Sequence, residues 1–317
     1  MGVAVGLDVG GTKCLGLAVG PDGTVLAEHR VPTPVEGGDA LLDVLAVVAT
    51  DVSAAAGGSP GSVGVGAPGL VDVDGVLRVA PNLRRAEGLA LGDGLARRLG
   101  VAVQVDNDVT CAAFGEWAAG AAAGADDVLL VALGTGIGGG LVVGGRLARG
   151  ANGYAGEIGH MVVDPHGPPC PCGQRGCWER FASGGGLARL AREAAVAGRA
   201  PGIVARAGGD CESVRGEHVT AAAQEGDEGA RVILDEFAWW LALGMANLTN
   251  VLDPGLIVLG GGLVDDAPLY LDATRAAFSG LVLGAANRPE VPIVPAALGA
   301  RAGAVGAALL GRERSRR

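Results

Sequence analysis

Two segments of this 317-residue chain repeat one pattern, and the repeat narrows the choice of fold more than any other feature. Val3 to Val9 is an apolar run, Gly10-Gly11-Thr12-Lys13 a turn, and Cys14 to Val19 a second apolar run. Val128 to Leu133, Gly134-Thr135-Gly136-Ile137-Gly138-Gly139 and Leu141 to Val143 do the same again. Short apolar runs bounded by glycine read as strands, so each segment is strand, glycine turn, strand. A Walker A loop is excluded, because it needs lysine ahead of Ser or Thr and opens a helix; here Thr12 precedes Lys13 and a strand follows. Gly134, Gly136 and Gly139 match the dinucleotide fingerprint, but a strand follows them too, which argues against a Rossmann site. A turn without side chains can present backbone N–H groups to a phosphate, although an ordinary hairpin would look the same. The repetition points to two related α/β halves. A third glycine turn, Gly260-Gly261-Gly262, follows a helix end at Asn250 to Asp253, Pro254 and a strand at Leu256 to Leu259.

After the second repeat lies the most chemically specific stretch, His160 with Cys170, Cys172 and Cys177. A histidine and three cysteines so spaced can form a closed tetrahedral zinc site. A disulfide would leave one thiol over and ignore the histidine. Pro168, Pro169, Pro171, Gly173 and Gly176 do not continue a helix or a strand ladder, so the segment is expected to need the metal for its shape. Four protein ligands leave no open position for water, which makes the zinc structural. A ligating histidine has its second ring nitrogen fixed in direction, a pre-aimed hydrogen-bond group.

Elsewhere, Val63 to Gly69 reads as a strand ending in a turn, Ala80-Pro81-Asn82-Leu83 as a loop, and Val101 to Val105 as a strand. Asp106-Asn107-Asp108 then leads into a helical pattern from Val109 to about Ala123. Aspartate there is ordinarily an N-cap, and strand C-termini are also where α/β proteins place their chemistry; the two readings are compatible. Helices are expected at Gly186 to Ala197, Glu217 to Gly226, Asp227 to Leu252, Leu269 to Leu281 and Ala300 to Leu310, and a strand at Val291 to Val294. Residues 198 to 216 read as a surface connection. Trp239-Trp240 reads as helix core or subunit interface rather than a ligand platform.

Composition bounds the partners. A hydrophobic fraction of 49% fills complete cores, but only 3% is aromatic, so with 58 glycines the packing must be close and built from small residues. A net charge of −10 argues against nucleic acid, and the basic tail Arg312 to Arg317 is explained by a solvated terminus. The first strand carries Asp8 with no basic region ahead of it, unlike a signal peptide. The uncharged stretch Val128 to Gly145 is too rich in glycine for a membrane helix. A cytoplasmic protein with no membrane partner is expected, with Cys14, Cys111 and Cys211 as reduced thiols.

Gly156-Glu157-Ile158-Gly159-His160, followed by Cys170-Pro171-Cys172-Gly173-Gln174-Arg175-Gly176-Cys177-Trp178-Glu179, resembles the zinc-binding signature of the ROK family (repressors, open reading frames and sugar kinases). The paired hairpins are similar to those of the actin and hexokinase superfamily. The resemblance runs from Val3 to about Gly311. It implies a two-domain α/β fold of the actin/hexokinase, ribonuclease H-like type, with an ATP cleft between duplicated halves and a zinc-stabilised loop. The implied domains are residues 1–118, residues 119–299, and a closing helix at 300–317 that returns to the first.

The implied activity is transfer of the γ-phosphoryl group of ATP to the 6-hydroxyl of glucose, with Asp108 as general base. By the same resemblance, Asn82, Asn107, Asp108, Glu157, His160 and Glu179 contact the sugar. Asp8, Gly10, Gly11, Thr12, Lys13, Gly134, Thr135, Gly136, Gly260 and Gly261 serve Mg²⁺ and ATP, and His160, Cys170, Cys172 and Cys177 hold Zn²⁺. Closure of two lobes would exclude water, and a homodimer or homotetramer is implied. Asn82 reads equally as a turn residue after proline. A kinase for another hexose or an N-acetylhexosamine, polyphosphate as donor, and a non-catalytic sugar sensor are the alternatives. A repressor of the family would carry a winged helix ahead of the first strand. Two features depart from the pattern: the loose Gly184-Gly185-Gly186 run, and Lys13, the chain's only lysine, at a position where the family accepts other residues.

Overall fold

Glycine turns and apolar runs at the start of the chain fold as a meander in the computed structural model, which describes residues 2–315. Strands β1 (Gly2–Val9), β2 (Lys13–Val19) and β3 (Val25–Pro32) pair antiparallel. Helix α1 (Gly38–Ala55) then carries the chain to β4 (Ser59–Ala67), parallel to β1. A small hairpin of β5 (Leu70–Val71) and β6 (Leu77–Val79) precedes α2 (Leu91–Leu99), and β7 (Val103–Asn107) adds parallel to β4. The strand order is β3-β2-β1-β4-β7, and α3 (Asp108–Ala119) follows without a break.

The second sheet uses β8 (Val128–Leu133), β9 (Ile137–Val143) and β10 (Arg146–Leu147). Helices α4 (Glu179–Ala182), α5 (Gly184–Val196), α6 (Pro201–Arg206), α7 (Gly216–Gln224) and α8 (Glu228–Leu252) come next. They are followed by β11 (Leu256–Gly260), α9 (Leu271–Leu281), β12 (Ile293–Pro295) and α10 (Ala302–Ser315). Its order, β10-β9-β8-β11-β12, is that of the first sheet with corresponding strands in corresponding places. The duplicated α/β halves expected from the glycine hairpins are therefore present, in the two-domain actin-like arrangement.

Two compact units result, one of Met1–Leu130, Gly139–Gly156 and Ala296–Arg317, the other of Val131–Gly138 and Glu157–Pro295. Residues 119–130 and 139–156 thus cluster with the first unit. Within it, Val5, Leu7 and Val65 pack on Leu41, Leu45 and Val48 of α1, while Leu15, Leu17 and Val19 meet Phe114 of α3 and Val305 of α10. Small residues let α10 lie directly on strand backbone. A Cβ on Gly6 or Gly64 would collide with the carbonyl oxygens of Ala304 and Ala307. The buried Glu116 of α3 accepts from the backbone N–H groups of Ala121 (2.8 Å), Ala297 (3.0 Å) and Leu298 (2.8 Å), fastening the segment ahead of α10.

Several local expectations need correction. Residues 198–216 are not merely a connection, since α6 starts there with Pro201 in its first turn and buries Ile203. Strand β9 begins at Ile137, which shortens the second glycine turn to Gly134–Gly136. The short α4 stands ahead of α5, and a 3-10 helix at Gly262–Leu269 ahead of α9. Among the described residues no helix is long and apolar enough to cross a membrane.

Candidate functional site

In the first unit the residues of interest gather at the C-terminal ends of β1 and β7. The β1–β2 turn closes through Gly10 N–H to Lys13 O at 2.9 Å. Thr33 braces it from the end of β3, its hydroxyl donating to Gly10 O at 2.6 Å and its N–H to Thr12 O at 3.0 Å. Gly11, Thr12 and Lys13 are exposed. A Cβ on Gly11 would lie 3.2 Å from Cβ of Asn82, so the 80–83 loop and this turn are neighbours. Asp8 points to the first turn of α10, where a Cβ on Gly303 would lie 3.2 Å from its carboxylate. Burial raises the Asp8 carboxyl to about 6, with Lys13 opposing the shift.

The N-cap of α3 is Asn107, not Asp108. The Asn107 Oδ1 accepts from Val109 N–H (2.9 Å) and Thr110 N–H (3.0 Å), and its amide donates to Gly69 O at 3.1 Å. Asp108 is the first residue of the helix, where an anion is favoured by the helix dipole, and its Oδ1 accepts from its neighbour's N–H at 2.8 Å. The capping expectation for aspartate is thus overturned in favour of the residue before it.

In the second unit, one ligand atom each from His160, Cys170, Cys172 and Cys177 lies within 4.8 Å of all the others. The Cys172 and Cys177 sulfurs are 3.6 Å apart, and the Cys170 sulfur is 3.8 Å from His160 Nδ1. Zn–S bonds of about 2.3 Å imply tetrahedral edges of about 3.8 Å, against about 2 Å for a disulfide, so the set fits a zinc ion. The segment is not without its own pairing. Cys170 N–H donates to Gln174 O (2.8 Å), Gly173 N–H to Cys170 O (3.0 Å) and Gly176 N–H to Pro168 O (2.8 Å), a small hairpin that the prolines and glycines do not prevent.

Two carboxylates flank the histidine. Glu157 Oε2 is 3.8 Å from Nε2, and Glu179 Oε1 is 3.8 Å from Nδ1 and 3.1 Å from the Cys170 sulfur. Burial lifts the Glu157 carboxyl above its ordinary range, with His160 opposing and Glu179 adding to the shift. The end of the loop is anchored by Trp178, fully buried, whose ring N–H donates to Trp240 O at 2.8 Å. Gly244 of α8 makes room for that ring, since a Cβ there would collide with the indole. Trp240 stacks on Phe181 with centroids 4.1 Å apart, and the half-exposed Trp239 meets Trp240 edge-on.

Glu179 also reaches the second glycine turn. Its carboxylate occupies the space a side chain on Gly136 would need. Gly261, at φ +82°, packs on the backbone of Leu133 and brings the third glycine turn alongside. Two features were missed by sequence reasoning, the Trp178 anchor and the contact of Ser183 with Thr135. The run of three glycines after Ser183 was the available signal.

A family model described as the ROK family matches residues 4–314. The chain belongs to the ROK family. Among ROK relatives it is 38% identical to a glucokinase of Streptomyces coelicolor, over 99% of this chain and 98% of that one. An N-acetyl-D-glucosamine kinase of Shigella flexneri is 33% identical over 81% of this chain and 83% of its own. The crystal structure of a ROK family glucokinase from Streptomyces griseus in complex with glucose and AMPPNP superposes with a TM-score of 0.84 at 38% identity, covering 98% of this chain and 100% of that one. This ROK protein is therefore a sugar kinase homologous to glucokinases.

Proposed function

We propose that this ROK kinase is an ATP-dependent glucokinase, transferring the γ-phosphoryl group to the 6-hydroxyl of glucose. The observation that carries the reading is the flanking of His160 by Glu157 and Glu179, each 3.8 Å from a ring nitrogen, in a chain that resembles glucokinases along its length. Phosphoryl transfer depends on positioning and charge neutralisation more than on covalent catalysis. Asp108 accepts the proton of the attacking hydroxyl, a role worth ~10²–10⁴ in rate. Asn82, Asn107, Glu157, His160 and Glu179 hold ring hydroxyls. The backbone N–H groups of the Gly10–Lys13 and Gly134–Gly136 turns receive phosphate oxygens, and Gly260 and Gly261 border the nucleoside. Mg²⁺, when bound, neutralises phosphate charge, and Asp8 is the carboxylate that organises it. Zn²⁺, when bound to His160, Cys170, Cys172 and Cys177, fixes the histidine ring so that its other nitrogen meets the sugar. The protein acts in the cytoplasm as a homodimer or homotetramer.

The test is an ADP-release assay over glucose, fructose, N-acetylglucosamine and N-acetylmannosamine, with ATP and polyphosphate as donors. Glucose with ATP should show the highest kcat/KM. Asp108→Asn should lower kcat by more than about tenfold while glucose binding stays measurable by calorimetry, because the amide keeps the shape but takes no proton. An N-acetylhexosamine kinase is the second reading, favoured by the N-acetyl-D-glucosamine kinase relative. A preference for the acetylated sugars would establish it instead.

A further inference from the structure

Ser183 joins two parts of the second unit that the kinase reading assigns to different substrates. Its buried hydroxyl lies 2.9 Å from the carbonyl oxygen of Thr135, in the middle of the second glycine turn, and 2.6 Å from that of Glu179, the first residue of α4. The same oxygen accepts from Gly186 N–H at 3.1 Å and so caps α5. A serine has one hydroxyl proton, so it cannot donate fully to both carbonyls; the proton is shared between them or directed to one. The next two residues complete the fastening. Gly184 N–H donates to Gly134 O at 2.8 Å, and Gly185 N–H approaches Thr135 O at 3.3 Å. A side chain would be crowded there, since a Cβ on Gly184 or Gly185 would lie 3.0 Å from those carbonyl oxygens and press them back by a few tenths of an ångström, while one on Gly186 would collide with the Phe181 backbone at 2.6 Å. The three-glycine run is thus the seat of the turn on the helix start.

We propose that Ser183 is a positioning residue that couples the donor-phosphate turn Gly134–Gly136 to the sugar-binding Glu179. The proposal rests on the kinase reading. When a sugar draws on the Glu179 carboxylate, the backbone of α4 shifts by whatever that contact requires, and the Glu179 carbonyl competes differently for the Ser183 proton. The hold on Thr135 O changes in step, and with it the direction of the turn's N–H groups. Nucleotide and sugar then bind with an affinity for each that depends on the other, by the same factor in both directions.

The experiment first confirms glucose phosphorylation by the full-length wild type. Glucose is then titrated by calorimetry with and without saturating Mg·AMPPNP, and the reverse titration is made. In the wild type the nucleotide should tighten glucose binding. Ser183→Ala should reduce that factor by about two- to tenfold, the range of one neutral hydrogen bond, while glucose affinity without nucleotide changes by less than about twofold. Ser183→Thr, which keeps a hydroxyl, should recover most of the factor. If Ser183→Ala does not fold, Gly185→Ala presses on the same Thr135 carbonyl with Ser183 intact, and it too should reduce the factor. A purely structural cap would lower thermal stability and both affinities together with the factor unchanged, and that result, or a wild-type factor of one, overturns the inference. A wild type that phosphorylates no hexose overturns the proposed function and this inference with it. Glucose turnover with an unchanged factor in the variants overturns this inference alone.

Discussion

Burial and function pull Asp8 in opposite directions. The carboxyl is raised to about 6 in the folded chain from an ordinary 3.8, so folding favours its protonated form. Stability from this group is complete below about pH 4 and is lost as pH rises through about 6, because the folded state holds the proton longer than the unfolded one. At neutral pH the ionised group costs at most about 3 kcal/mol. Asp8→Asn should therefore raise the melting temperature by a few degrees at pH 7.5 and leave it unchanged near pH 4. The same variant should lose the magnesium dependence of the rate, and wild-type kcat/KM for Mg·ATP should fall as pH drops below about 6 while the variant shows no such inflection. Melting curves at the two pH values and the pH profile check both halves. Asp8 was legible in the sequence because a charge inside an apolar run stands out. The roles of Asn107 and Asp108 were not separable there. Asp106-Asn107-Asp108 offers three residues able to cap a helix, and only the backbone angles at Asn107 decide which one does.

At the level of elements the zinc loop combines a metal cluster with a hairpin that pairs its own backbone and a tryptophan set into α8. Metal is then needed less to create the loop than to hold His160 to it. Free energies of ~10–16 kcal/mol belong to zinc peptides that are unfolded without metal, and a loop braced in this way should draw on less. Cys172→Ala should lower bound zinc from near one per chain and weaken glucose binding by more than about tenfold. AMPPNP binding without sugar should change by less than about threefold, since the first glycine turn is braced by Thr33 and the second by Gly184. Metal analysis and calorimetry decide it; stoichiometric zinc with full glucose affinity in the variant would refute this account. The ligands were legible because their spacing is local. Helix α6 was hidden by a run of Gly, Ala and Arg without periodicity, and the start of β9 by glycines that look like a turn and pair as strand.

Across the whole molecule the repeat of the glycine hairpins foretold two related α/β halves, because duplication leaves a trace in sequence that survives substitution of most side chains; that the two sheets share one strand order is seen only in the structure. The return of the closing helix to the first half was implied only by the family resemblance, and the contacts that fasten the segment ahead of it left no such trace. Glu116 and Leu298 are 182 residues apart, and a glutamate inside an apolar helix gives no sign of bonding to backbone that far along the chain. The shortage of aromatic residues finds its counterpart in α10, seated against strand backbone where Gly6 and Gly64 leave it room. One more property belongs to the chain as a whole. Its single lysine stands exposed in the first glycine turn, which leaves the folded protein with one ε-amine, and that amine sits where the donor is proposed to bind. An amine-reactive ester should thus acylate one side chain, at position 13, and peptide mass mapping would follow it without interference from other lysines. Mg·AMPPNP should slow that acylation by more than about threefold and glucose alone should not, which would turn an accident of composition into a built-in optical or mass label for donor occupancy.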